Sequence, residues 1–167
     1  MKERDMSEEE RKTISEIVAV SAIKFSILRQ ATGGDIVFDF ENSISFEGDS
    51  GPYLLYSVTR AKSAIAKALE AGIEESVQNP VSKLTPLEQL LGRFPSVVSR
   101  AHEEFAPHHI VTYLLALSGA FNAFYAHNPI AQKENLDSPY NLMITKSFVE
   151  IMKNGLTLLG IRTPEKM

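Results

Sequence analysis

The chain has 167 residues, no cysteine and no tryptophan, with 44% apolar and 23% charged residues. That composition fits one ordinary domain or a domain plus a fragment of another, and it excludes bulk disorder, a disulfide framework, a thiolate metal site and a cysteine nucleophile. Net charge is −4, but residues 1–49 carry 6 basic and 11 acidic side chains, so the remainder is near neutral and charge alone neither assigns nor excludes a nucleic-acid partner.

The N-terminus, MKERDMSEEERK, is charged where a signal peptide needs an apolar core, and the cysteine-free composition suits a reducing cytoplasm. A first helix is predicted from Ser7 to Gln30. Ser7 and Glu10 form a capping box, Ile14, Ile17, Val18, Ala22, Phe25 and Leu28 recur at helical spacing, and Gly33-Gly34 stops the run. Asp35 to Phe46 alternates, with Ile36, Phe38 and Phe40 on one face, and predicts a short strand or extended segment ending in the Glu47–Gly51 turn.

A second helix is predicted from Pro52, capped by Ser50, to Ala71, with Tyr53, Tyr56, Arg60 and Lys67 along one line. A polar loop from Ile73 to Leu84 contains Asn79-Pro80. The third helix opens on Thr85-Pro86 with Glu88 completing a capping box, and Pro95 divides it into two short helices reaching Phe105. The fourth runs from Pro107 to His127. Its oily core, Ile110 to Tyr125, is interrupted by Asn122 and falls short of the roughly 20 apolar residues of a membrane span, so it reads as a buried helix. After Asn128-Pro129, Asp137-Ser138-Pro139 caps a fifth helix that extends to Leu159, with Gly160 beyond. The expected fold is all-α: a helical bundle over residues 50–167, preceded by a helix-plus-extended segment over residues 1–49.

No Walker loop or GxGxxG fingerprint is present, and no pattern marks a hydrolase nucleophile. His108-His109 is not a metal pair, because neighbouring side chains diverge on a helix; no metal ligands and no catalytic residues are expected in the chain. Aromatic residues are the distinctive feature. Tyr53 and Tyr56 lie beside Arg60, and Phe121-Asn122-Ala123-Phe124-Tyr125 closes the fourth helix. Tyrosines next to a guanidinium suit unstacked nucleobases, and the same spacing equally suits half-buried packing residues; spacing alone leaves both open.

Residues 45–63, SFEGDSGPYLLYSVTRAKS, resemble the stretch of class I arginyl-tRNA synthetases that reads F-x-G-x-(S/T)-G-P-Y-x-Q-Y-x-x-x-R. Three further segments resemble that family in the same order. They are Ala22–Phe25 with Phe38-Asp39-Phe40, Val111–Leu114 with Phe121-Asn122 to Tyr125, and Asn154–Ile161 through Pro164–Met167. The resemblance implies a C-terminal piece of an arginine–tRNA ligase, with residues 1–49 ending the catalytic region and residues 50–167 forming a DALR-type anticodon-binding domain. It implies that Tyr53, Tyr56, Arg60, Tyr125 and Met167 surround the anticodon loop of arginine tRNA, whose middle cytosine the family splays out of the stack.

Leu55 stands where the family usually has glutamine, and the Asp-Ala-Leu-Arg pattern is not legible in Pro139–Met143. Neither a HIGH-like nor a KMSKS-like motif occurs, so this chain alone is expected to use no cofactor and not to activate arginine. ATP, with Mg, belongs to the full-length enzyme. Expected partners are the tRNA stem-loop and the catalytic domain of the same protein, with no membrane, and with self-association through exposed faces of Phe25, Phe38 and Phe40. The alternative reading is a free-standing, non-enzymatic module of the same fold that acts in protein assembly.

Overall fold

A computed structural model describes residues 6–36, 38–78 and 84–167, and among them there are seven helices and no strand. Helix α1 spans Glu8–Leu28 and begins with the expected capping box: the Glu10 N–H donates to Ser7 Oγ at 3.2 Å, and the Ser7 N–H to Glu10 Oε2 at 2.9 Å. It ends at Leu28, earlier than expected, so Gly33 (φ 85°) lies in the following turn and does not terminate it.

Among the described residues of the alternating segment there is no strand, and Asp39 has extended dihedrals (φ −102°, ψ 115°). Without a neighbour to complete a ladder, the segment's backbone groups need local partners. Asp39 supplies them by capping a single helical turn, α2 (Phe40–Ser43): Asp39 Oδ1 accepts from the Asn42 N–H at 3.0 Å, and Ser43 Oγ donates to the Asp39 carbonyl at 2.5 Å. A second buried contact, Ser26 Oγ to Ser43 Oγ at 2.8 Å, seats that turn on α1.

Helix α3 (Gly51–Glu70) is capped by Ser50, whose Oγ accepts from the Tyr53 N–H at 3.1 Å. Gly51 permits a close crossing with α1: a Cβ there would fall 2.6 Å from the Ser21 carbonyl carbon and 3.0 Å from the Ala22 nitrogen. The loop that follows includes Asn79-Pro80, which lies outside the described residues.

Helix α4 (Pro86–Leu91) carries the second capping box, and Pro95 sits in the first turn of α5 (Phe94–Glu103). Glu88 also receives Tyr140 Oη at 2.5 Å. Burial opposes its charge, but the bonds from Thr85 and Tyr140 outweigh that and hold its carboxyl below the usual range.

Helix α6 (His108–His127) is long and apolar enough to cross a membrane by length and composition, yet α3, α4, α5 and α7 all pack on it. Helix α7 (Ser138–Leu158) starts at the expected place, but Asp137 has helical dihedrals and its side chain makes no cap bond. At the α6 N-terminus His109 Nε2 lies 2.6 Å from Glu104 Oε2, and the His108 and His109 rings are 4.3 Å apart.

The core lies between α3, α6 and α7. Leu54, Leu55, Val58 and Ala61 meet Leu114, Leu117 and Phe121, and then Leu142, Phe148 and Met152; the Phe121 and Phe148 rings stack at 4.0 Å. Leu55 is fully buried, so the position that departs from the family's glutamine points into the core. Phe25 is fully buried too, contrary to the expectation of an exposed face: α1 rests directly on α3, and enclosing a phenyl ring there is worth about 2–3 kcal/mol. Phe38 and Phe40 are exposed as expected, together with Val20, Ile23, Ile27 and Ile36.

Beyond α7, Gly160 (φ 66°) turns the chain and the Ile161 N–H caps the Leu156 carbonyl at 2.8 Å. The tail then runs back along α3 and α1, with Ile161 and Pro164 buried. Lys24 Nζ donates to the Gly160 carbonyl, Lys62 Nζ meets the Pro164 carbonyl at 3.0 Å and Glu165 Oε1 at 2.9 Å, and Lys166 Nζ meets Glu10 Oε1 at 2.7 Å.

Candidate functional site

One line of α3 faces away from the core and carries Tyr53, Tyr56 and Arg60. Steps of three and four residues put these side chains on one strip of the helix. Helix α6 crosses beside that strip and brings in Asn122 and Tyr125.

Arg60 is the centre of the arrangement. Its Cζ lies 4.7 Å from the Tyr56 ring centroid and 5.7 Å from that of Tyr125, a cation–π contact on each. Its Nη2 donates to Tyr56 Oη at 3.1 Å and its Nη1 to Asn122 Oδ1 at 2.8 Å. Asn122 Nδ2 in turn donates to Tyr53 Oη at 2.9 Å and to Ser57 Oγ at 3.2 Å. Phe46, from the loop before α3, closes edge-on against Tyr56 at 6.5 Å, and Phe121 backs Tyr125 at 6.0 Å.

Tyr53, Tyr56, Arg60 and Asn122 line an open groove of about 970 Å³, whose other wall comes from α1 through Arg11, Ile14 and Val18. Met167 lines the same groove, brought there by the tail and its ion pairs to α1 and α3. Tyr125 lies on the far side of Arg60 and opens onto a neighbouring recess of about 550 Å³, lined also by Lys67, His127, Asn128 and Gln132. Of the five residues singled out in the sequence, Tyr56 and Tyr125 contact the Arg60 guanidinium, Tyr53 is tied to it through Asn122, and Met167 lines the same groove. Lys67, placed on the same line of α3, belongs to the second recess.

Exposure fits a binding surface. Tyr56 and Tyr125 keep 36% and 40% of their surface open, while Tyr53 and Arg60 are half-buried. Tyr113, by contrast, is a core residue: its hydroxyl donates to the Leu90 carbonyl at 3.0 Å, and burial pushes it up to about 12. The arrangement can stack planar rings on the tyrosines and offer guanidinium and phenol N–H and O–H groups to acceptors beside them. The sequence reading missed Asn122 as a member of the site, and with it Ser57 and Phe46. The available signal for Asn122 was a single amide inside an otherwise apolar helix.

A family model described as the DALR anticodon binding domain matches residues 54–167. The arginine–tRNA ligase of Thermococcus kodakarensis is 34% identical over 175 residues, covering 99% of this chain and 27% of that protein. The arginine–tRNA ligase of Fusobacterium nucleatum is 36% identical over 172 residues, covering 99% and 30%. Among solved structures, Thermus thermophilus arginyl-tRNA synthetase superposes with a TM-score of 0.81 at 31% identity, covering 99% of this chain and 29% of that one. The Plasmodium falciparum arginyl-tRNA synthetase gives 0.74 at 26%, covering 93% and 28%. The chain thus spans about three tenths of the length of the relatives it matches. With the match extending from Leu54 to Met167 and the same helical fold in the solved relatives, this chain belongs to the DALR anticodon-binding domain family.

Proposed function

We propose that this chain is the C-terminal, tRNA-binding portion of an arginine–tRNA ligase, and that Tyr53, Tyr56, Arg60, Tyr125 and Met167 surround the anticodon loop of the arginine tRNA. The observation that carries the reading is the convergence of Tyr56 from α3 and Tyr125 from α6 on the Arg60 guanidinium, at a groove that Met167 also lines. The chemistry follows from the side chains. Tyrosine rings accept the faces of splayed bases, and the guanidinium meets phosphate or base acceptors.

In the whole ligase, ATP, with Mg, serves the activation of arginine, and this portion holds the tRNA while the catalytic domain attaches the amino acid. The exposed Val20, Ile23, Ile27, Phe38 and Phe40 support the catalytic domain as the neighbour of α1, and left open they are the surface through which the isolated chain self-associates. Cytoplasmic location follows from the same role. The assembly-module alternative has no observation in its favour.

Fluorescence anisotropy with arginine tRNA, beside the same tRNA altered at its middle anticodon base and across a salt series, tests the reading. Tyr125→Ala is expected to weaken binding by about 1–3 kcal/mol. Arg60→Ala is expected to lower the slope of log Kobs against log salt by about 1. Equal affinity for both tRNAs in every variant would overturn the proposal.

A further inference from the structure

The recess beyond Arg60 is separate from the groove that holds Tyr53, Tyr56 and Met167, and its lining suits an anion. It encloses about 550 Å³ between the last turns of α3 and α6 and the loop that follows α6. Lys67, His127, Gln132 and Asn135 stand around it. Among the described residues no carboxylate lines it, although the chain as a whole carries a net charge of −4.

The donors around the recess are unspent. Lys67 Nζ makes no ion pair or hydrogen bond among the described residues, whereas Lys62 on the same helix is held by the Pro164 carbonyl and Glu165. The His127 ring and the Gln132 amide have no partner among them either, and an imidazole carries at least one N–H in either tautomer. Asn135 Oδ1 receives the Asp137 N–H at 2.9 Å, which leaves its Nδ2 to donate. Bare carbonyls at a helix C-terminus would repel an anion. Here the Phe124 carbonyl receives the Asn128 N–H at 2.9 Å and Asn128 Nδ2 at 2.8 Å, and the Pro129 carbonyl receives Asn141 Nδ2 at 2.8 Å. These two acceptors are satisfied within the chain.

Position supplies the ligand. The Tyr125 ring lies 5.7 Å from the Arg60 guanidinium and also lines the recess. Lys67 stands two turns beyond Arg60 on α3, about 10 Å along the axis. A strand that stacks a base on Tyr125 therefore carries its adjoining backbone over Lys67. Resting on the anticodon-binding reading, we propose that the recess is a second subsite, for the RNA backbone: Lys67 holds a phosphodiester of the loop, and His127 and Gln132 donate to its oxygens. Such a contact reads no base and adds affinity whatever the loop sequence. Basic residues in the last turns of α3 and α6 also complement the helix dipoles, and that role alone would leave RNA affinity unchanged.

Anticodon stem-loop RNAs, each with one loop phosphodiester replaced by a neutral methylphosphonate, are titrated against the 167-residue chain, Lys67→Gln and Lys67→Arg. Lys67 is exposed, so neither substitution disturbs the core. For the unaltered chain, neutralising one particular linkage should cost severalfold in affinity. In Lys67→Gln the same neutralisation should cost nothing further, and the slope of log Kobs against log salt with unmodified RNA should shrink by about 0.7. Lys67→Arg should restore both, and the loss in Lys67→Gln should be the same when the middle anticodon base is changed.

Losses that add at every linkage, or an unchanged slope in Lys67→Gln, would overturn the subsite while the unaltered chain's binding keeps the anticodon reading in place. Inorganic phosphate separates the two sources of the anion. Saturable shifts of the His127 and Gln132 resonances with phosphate, with no linkage coupled to Lys67, would make the recess a site for free phosphate and overturn its assignment to RNA. Failure of the unaltered chain to bind any of the RNAs would overturn the anticodon reading and the subsite together.

Discussion

Gly51→Ala isolates the crossing of α1 and α3, because the obstacle is main chain. The added Cβ would lie 2.6 Å from the Ser21 carbonyl carbon and closer still to its oxygen, where carbon atoms normally rest about 3.5–4.0 Å apart. No rotamer change relieves that overlap, so α1 has to withdraw by about 1 Å and loosen the enclosure of Ala22 and Phe25, both now buried. Overpacking of this kind costs typically 1–3 kcal/mol, and a backbone obstacle belongs at the upper end. Replacing glycine returns at most about 1 kcal/mol of helix propensity. The net loss is about 2–3 kcal/mol, a fall in Tm of roughly 4–12 °C for a chain of this size. Gly119→Ala is the matched control: it sits in α6 with nothing within 4 Å of an added Cβ, and it should gain about 0.5–1 kcal/mol. Denaturation of both variants, followed by circular dichroism, checks the pair. A Gly51→Ala midpoint equal to that of the unaltered chain would refute the close-crossing argument.

Two predictions concern pH. Burial pushes the Tyr113 hydroxyl up to about 12, and burial followed by the bond to Glu88 pushes Tyr140 to about 12. Each pKa is raised in the folded state, so the stability it contributes is complete below about 10 and is lost as pH rises towards the folded value. The phenolate absorbance removed by Tyr113→Phe or by Tyr140→Phe should be absorbance that develops above about pH 10 as the fold opens; removal of absorbance developing below that would contradict the assignment. At the acid end, Lys62 lowers Glu165, and Lys166, then Ser7, lower Glu10. Depressed carboxyls contribute above their unfolded value and cease to do so as pH falls through the folded one, so acidification below the ordinary 4.5 should release the tail. The Met167 methyl resonance should move with that release, and in Glu165→Gln part of the movement should already be present at neutral pH; a pH-independent signal would exclude the latch.

Helix positions were legible where their signals were local. Ser7 with Glu10 and Thr85 with Glu88 announce themselves within four residues, and both boxes are formed. Around Phe38 and Phe40 the alternation allows a strand or an extended segment; a strand needs a partner strand, none occurs among the described residues, and the Asp39 cap, a pattern just as short, ends the extended stretch in a single helical turn. Phe25 was assigned to an exposed face on the assumption that α1 packs against something absent, whereas its neighbour is α3, thirty residues onward. Asn122 escaped for a similar reason. Its partners Tyr53, Ser57 and Arg60 are more than sixty positions away, and no local pattern reveals a hydrogen-bond polarity shared across that distance.

The groove takes lining from residues far apart in sequence, Met6, Arg11 and Ile14 near the start of α1 and Met167 in the tail. A nucleic acid seated there would act as a clasp on the folded chain, favouring it by RT ln(1 + [L]/Kd), about 2.7 kcal/mol at a hundredfold excess over Kd. Because the clasp spans the first helix and the final residue, its protection reaches amides at both termini at once, so hydrogen exchange slows there in step with occupancy. A chain shortened before Ile161 keeps its tyrosines but has no such clasp: base stacking and coupling to the global fold become separable properties of one surface.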